Sequence, residues 1–138
     1  MDIRRYAAFL LLLLASTIVR ATHIGGGEIY WDHLGGNQYR ITLIVYRDCA
    51  GVTLDNGYNL DITSPCGTMQ LWVDNQGTTE VSQLCGAQLP NSTCNGGTLP
   101  GIQRRVYTGT VDLPPCDSWT ISWTEIYRNN AIVNLQTP

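Results

Sequence analysis

Apolar and polar residues alternate along most of this chain. From Tyr39 the odd positions Tyr39, Ile41, Leu43 and Val45 are apolar, whereas Arg40 and Thr42 point the other way. A period of two marks a strand with one buried face. The preceding segment, Glu28-Ile-Tyr-Trp-Asp-His33, joins it through Gly35-Gly36-Asn37, residues that tolerate the positive φ of a short hairpin turn. Alternation returns at Tyr58–Thr63 and Met69–Val73, at Thr78–Leu84 beyond an expected Asp74–Gly77 turn, and at Arg105–Leu113. It recurs at Ser118–Tyr127, with Trp119, Ile121 and Trp123 on one face, and at Ala131–Leu135. Met69–Val73 and Thr78–Leu84 are read as a second hairpin. Asp48–Asp61 reads as a Gly/Asn/Asp-rich loop, and Cys85–Gly101 as a long glycine- and proline-bearing surface loop. Seven to eight short strands without a helical period predict an all-β fold, an antiparallel immunoglobulin-like β-sandwich.

The first residues follow another pattern. Arg4 and Arg5 precede an apolar run from Ala7 to Val19, and Val19-Arg20-Ala21 fits a signal-peptidase site. The run is shorter than the roughly 20 apolar residues that span a bilayer. Residues 1–21 are therefore expected to be a signal peptide and residues 22–138 a single domain, with no transmembrane segment after cleavage. Losing Asp2, Arg4, Arg5 and Arg20 leaves five arginines against ten acids, a formal charge of −5, with no lysine anywhere. Such a surface lacks the clustered cations that a phosphate backbone requires, so nucleic acid is not expected as a partner.

Five cysteines behind a leader imply disulfides, with one thiol left over. Their connectivity is open. The preferred pairing is Cys66–Cys85, flanking the second expected hairpin, with Cys94–Cys116 pinning the long loop and Cys49 odd. The spacing fits no zinc motif.

Catalytic chemistry is sparse. His23 and His33 are the only histidines, and no nucleophile elbow, zinc-protease helix or phosphate loop occurs. No enzyme is expected. Asp48, Asp55, Asn56, Asn59 and Asp61 supply oxygens that suit calcium, but the same residues are ordinary turn formers and the EF-hand spacing is absent. No other cofactor is expected. Trp31, Trp72, Trp119 and Trp123 form the remaining candidate set, as a sugar-stacking platform if exposed and as core if buried.

Several stretches together resemble one family. They are Ala21–Tyr30, Gly36–Cys49 with its Tyr46-Arg47-Asp48-Cys49 end, Cys94-Asn-Gly-Gly97, Tyr107–Cys116 and Arg128–Asn134. They look like the amino-terminal module of large secreted surface proteins of gliding Bacteroidetes, whose chains continue into PKD-like repeats and a type IX secretion sorting domain. The resemblance implies a non-catalytic extracellular module serving adhesion, gliding or matrix attachment. It also implies adjacent domains, the secretion machinery, and surface glycans or matrix as partners. It brings no catalytic residues. Ile126-Tyr127 stands where that family tends to carry a Cys-Cys pair, so a family disulfide map does not carry over directly to this chain. A chain lacking the sorting domain is expected to remain periplasmic rather than reach the surface.

Overall fold

The structure, a computed structural model, describes residues 24–125. The expected signal peptide, His23, the end of the Ser118–Tyr127 strand and the expected strand 131–135 lie outside the described residues. Six antiparallel strands run in the order β1-β2-β5-β4-β3-β6: β1 Ile24–Gly35, β2 Gln38–Asp48, β3 Gly57–Ser64, β4 Gly67–Glu80, β5 Ile102–Asp112 and β6 Thr120–Ser122. The all-β class expected from the alternation is what the chain forms. β1 and β2 make the expected hairpin, with Gly35 paired to Gln38 and Gly36-Asn37 at its tip. Gly35 and Gly36 have φ of 117° and 59°, where a side chain is strained.

The second expected hairpin does not form. β4 runs unbroken for 14 residues through Asp74-Asn-Gln-Gly77, and the hairpin is instead β3–β4, turning at Pro65-Cys66 between the Ser64–Gly67 pair. The turn residues at 74–77 make a bulge between Asn75 and Gly77, in which the Asn75 side-chain oxygen accepts the Gly77 N–H at 3.0 Å. A bulge bends its strand and increases the local twist. Here it marks a change of partner: Gly67–Asp74 pairs with β3, and Asp74–Glu80 pairs with β5.

β4 thus forms the corner of a sandwich-like fold made from one continuous sheet. One half is β1-β2-β5 with the end of β4, and the other is the start of β4 with β3 and β6. Strands that pass between packed sheets through a bulge are a general means of making such corners. The inner face of the first half presents Ile41, Leu43, Val45 and Tyr107. The second presents Leu60, Ile62, Leu71 and Val73, and all of these belong to one buried cluster. Trp119, Ile121 and Trp123 pack against it from the β6 side. The rings of Tyr58 and Tyr107 meet edge-on across the interior at 5.1 Å. At the far margin a Cβ on Gly27 in β1 would lie 3.5 Å from the Trp123 ring, so the outer strands of the two halves come together there.

Gly109 sits inside the corner. A Cβ there would lie 2.6 Å from the Trp72 carbonyl oxygen and 3.1 Å from both Leu71 and Val73. The fold-over therefore needs a residue without a side chain at this point of β5.

The open end of the sandwich is covered by the loop between β2 and β3. Leu54 plugs the core. Two inner-face arginines, each 9% exposed, hold the backbone around it. Arg47 donates to the carbonyls of Gly51 (3.1 Å) and Val52 (2.7 Å) and to the Gln103 side chain (2.9 Å). Arg105 donates to the carbonyls of Leu54 (2.7 Å) and Asp55 (3.3 Å) and to Thr78 (3.0 Å). Tyr107 adds an O–H···O bond to the Asp55 carbonyl at 2.8 Å.

The disulfides are Cys49–Cys94 and Cys66–Cys116, and Cys85 is a free, exposed thiol. This corrects the expected Cys66–Cys85 and Cys94–Cys116 pairs and the expected free Cys49. The unbroken β4 is the reason. Cys66 precedes it and Cys85 lies five residues beyond its end, so the strand carries the two to opposite ends of its path. Cys66 instead reaches the β5–β6 loop, which returns beside the same turn because Thr120 pairs with Thr63. Cys49 ties the β2–β3 loop to the long β4–β5 loop. That segment is not irregular throughout: it contains 3-10 turns at Gly86–Asn91 and Thr93–Asn95 and a bridge between Ser92 and Leu99.

Two outcomes are expected. In the chain-entropy picture, a bridge spanning 45 residues contributes about 4 kcal/mol. Replacing Cys49 and Cys94 together by serine should lower the urea midpoint accordingly, whereas Cys85→Ser should leave it within about 0.5 kcal/mol. Peptide mapping without reduction should give the same pairs. Separately, Gly109→Val should cost about 1–3 kcal/mol by overfilling the corner, read as a lower thermal midpoint.

Candidate functional site

The residues singled out by the sequence are distributed over different parts of this framework. Register fixes the faces. Trp31 pairs with Ile41, so it lies on the inner side of β1, at the margin of the first half. Trp72 shares the parity of Asp74, which pairs with Thr108 on the outer side, so it lies on the outer face of the second half. Trp31 and Trp72 are 61% and 52% exposed, while Trp119 and Trp123 are packed against the core. The four tryptophans do not form one plane. Trp119 donates its indole N–H to the Pro114 carbonyl at 3.1 Å, and Trp123 meets the Tyr58 ring at 5.2 Å.

The acidic and amide residues are occupied in turns and cross-strand bonds. Asp48 ends β2 and accepts the Ala50 N–H at 2.9 Å. Asp55 contributes its backbone: the carbonyl receives Arg105 and Tyr107, and the N–H donates to the Tyr58 hydroxyl at 3.3 Å. Asn59 and Asp61 lie on the outer face of β3, where Asp61 accepts the Gln70 amide at 3.0 Å. Among the described residues, no group of three or more His, Cys, Asp or Glu side chains is gathered to hold a metal ion.

His33 braces the first hairpin, its Nε2–H donating to the Gly36 carbonyl at 2.9 Å, with its ring 4.9 Å from that of Tyr39. His33 is opposite Tyr39, and Gln103, paired with the end of β4, is opposite Arg47. The eight-residue run of β2 between them separates His33 from the strand end leading to Cys85 by about 27 Å. Among the described residues, no imidazole–thiolate pair is assembled.

Two outer-face concavities among the described residues bear on binding. The larger, about 810 Å³, lies over Gly26, Tyr46, Ile102 and Arg104 beneath Val81 and Pro100. It is mainly apolar and widely open. The smaller, about 570 Å³, lies on the second half between β6, β3 and β4, lined by Asp61, Thr63, Thr68, Gln70 and Ser122 with Met69. Its side chains are hydroxyls, an amide and one carboxylate. Trp72 is the next outer-face residue after Gln70 along β4, and its indole leans away from this groove, over Gly57 and toward Asp74.

Trp72 is held flat. Its indole N–H donates to the Asp74 carboxylate at 2.8 Å, and its six-membered ring covers Gly57, where any Cβ would collide with it. An aromatic face fixed on the same sheet surface as hydroxyls and an amide can stack on one unit of an extended ligand while those groups hydrogen-bond a neighbouring unit. The sequence offers Trp72 as a candidate but not Gln70, Thr63, Thr68 or Ser122, because nothing local to a threonine reveals which residues it faces across a sheet.

Electrostatic perturbation is concentrated at the loop clamp rather than in this groove. Burial, followed by repulsion from Arg105, lowers the Arg47 pKa, and Asp48 partly offsets it. Burial first, and the neighbouring Tyr58 second, push the Tyr107 phenol well above its ordinary value of 10.0. Burial also raises Tyr58. At the edge of the long loop, Glu80 is held below the usual carboxylate range, chiefly by the Ser82 hydroxyl at 2.6 Å, with Ser92 and Asn95 also contributing.

A phenol whose folded pKa is raised stabilises the fold fully below the unfolded pKa. That contribution is lost as pH rises through the folded value. Alkaline titration followed at 295 nm should show late tyrosine ionisation coincident with unfolding above about pH 10. Tyr107→Phe should reduce the late component to that of Tyr58, and it should cost about 1 kcal/mol at neutral pH through the lost bond to Asp55.

Comparison of the chain with protein-family models, with curated proteins and with solved structures finds no match.

Proposed function

We propose that this chain is a non-catalytic β-module of a secreted or surface-displayed protein, serving attachment: adhesion, gliding or anchorage to matrix. The observation that carries the reading is the pair of long-range disulfides, spanning 45 and 50 residues, which belong to an oxidising compartment and staple every long loop of the sandwich. The leader pattern at residues 1–21 supports the same compartment. Among the described residues, no helix is long and apolar enough to cross a membrane. The surface is acidic and lysine-free, which favours partners recognised by hydrogen bonding and stacking over polyanions.

The resemblance of the Tyr46–Cys49 stretch to modules of large surface proteins supports adjacent domains and a secretion apparatus as partners. Within this stretch Arg47 holds the loop, Asp48 closes a turn and Cys49 is bridged. These are framework duties, consistent with a module whose recognition residues lie elsewhere.

The test is attachment against turnover. Beads coated with the oxidised chain should be retained on polysaccharide or matrix surfaces, and retention should fall when the disulfides are reduced. Panels of glycoside, ester and peptide substrates should show no hydrolysis above the uncatalysed rate. Turnover abolished by His33→Ala or Cys85→Ser would overturn the reading.

A further inference from the structure

We propose that the outer face of β3, β4 and β6 between Trp72 and Ser122 is a binding site for neutral sugar units of a polysaccharide. The proposal rests on the attachment reading and names its ligand. Three cross-strand rows build the site. Asn59 stands opposite Trp72, Asp61 opposite Gln70, and Thr63 opposite Thr68. β6 adds Ser122 beside Asp61 and Thr120 beside Thr63. Successive rows on one face are about 6.7 Å apart, and the indole leans one row further, over Gly57 opposite Asp74, so the aromatic face and the polar groups are spread over roughly 20 Å, room for more than one sugar unit.

The chemistry of the ladder is specific in kind. A sugar ring has a C–H face and a rim of hydroxyls that both donate and accept. Trp72 supplies the flat surface for the first. Its orientation is fixed before any ligand arrives, by the 2.8 Å bond to Asp74 and by the Gly57 backbone beneath it, which reduces the ordering cost of binding. For the hydroxyl rim, Gln70 and Asp61 are already bonded to each other at 3.0 Å. An amide and a carboxylate each have hydrogen-bonding capacity beyond that one bond, and Thr63, Thr68 and Ser122 line the same groove as donors and acceptors.

Charge selects among saccharides. The outer-face positions of β3, of β4 from Thr68 to Asp74, and of β6 carry Asp61 and Asp74 and no arginine. Uronates, sulfated sugars and phosphates would meet two carboxylates with no cation among these described positions to offset them. Neutral hexoses would not. The larger apolar concavity around Ile102 and Arg104 offers no comparable set of paired donors and acceptors, and nothing in the fold specifies what would fill it.

The full oxidised chain should be titrated with cellohexaose, mannohexaose and chitohexaose, and with polygalacturonate and heparin as anionic comparators. Binding is read by calorimetry and by indole fluorescence. At least one neutral oligosaccharide should bind at micromolar to millimolar concentration, and the anionic chains should bind more weakly. Trp72→Ala should weaken binding about tenfold or more. Trp72→Tyr should retain part of it, Gln70→Ala should weaken it severalfold, and Trp31→Ala should leave it unchanged. Far-UV circular dichroism of Gln70→Ala and Trp72→Tyr keeps the comparison on folded protein. No binding of any neutral oligosaccharide, preference for the polyanions, or loss through Trp31→Ala with Trp72→Ala unaffected would each overturn the site. Beads that attach equally well with and without the Trp72 ring would reject the site and leave the attachment reading standing. Beads that attach to nothing would reject both.

Discussion

The architecture depends on one strand that serves two halves of the molecule. β4 hands over from β3 to β5 at Asp74, which pairs with Gly57 on one side and Thr108 on the other. A straight β4 would leave Leu60, Ile62, Leu71 and Val73 facing water. The bulge at Asn75–Gly77 and the missing side chain at Gly109 let the second half fold over, so that these residues cover Ile41, Leu43, Val45 and Tyr107. Burying each large aliphatic side chain is worth about 1.5–3 kcal/mol, far more than a single disrupted pair in the ladder costs. The hydrophobic gain decides the bend, and the bend places everything else.

The open end is closed by a different device. Arg47 and Arg105 lie on the inner face where an aliphatic pair would be expected, and their hydrogen bonds run to backbone carbonyls, a glutamine and a threonine. Taking a guanidinium out of water costs several kcal/mol unless its donors are satisfied, and here three acceptors face each one. The arrangement gives the β2–β3 loop, which lacks strand pairing of its own, a fixed path across the core with Leu54 as its plug. The Cys49–Cys94 bridge then carries that order to the β4–β5 loop. The Tyr46-Arg47-Asp48-Cys49 stretch, the most distinctive sequence in the chain, is thus the junction between sheet, loop and disulfide.

Because the core and the loops use so many of the conspicuous residues, the recognition site we propose falls on the outer surface of the second half. Trp119 and Trp123 pack half-buried against the core, His33 holds a turn and the acids cap or cross-link. Trp72 differs from them in being rigid and half exposed, with its polar neighbours arranged by register rather than by sequence. The same fold-over that buries Leu71 and Val73 turns Trp72 and Gln70 outward.

The sequence by itself determined the strands of β1, β2, β3 and β5, the Gly35-Gly36-Asn37 turn and the all-β class, because a period of two and turn residues are local properties that the backbone reads directly. It did not determine the path of β4. Asp74-Asn-Gln-Gly77 is equally good chemistry for a turn and for a bulge, and the choice depends on whether β5 is there to pair with Gly77 and Glu80. The disulfide map followed from that choice, since the ends of an unbroken strand cannot meet. So did the separation of Trp31 from Trp72, which depends on the face each presents once the sheet has folded. Tertiary structure decided these features because each rests on which residues become neighbours across the sheet, and alternation along one strand carries no information about that.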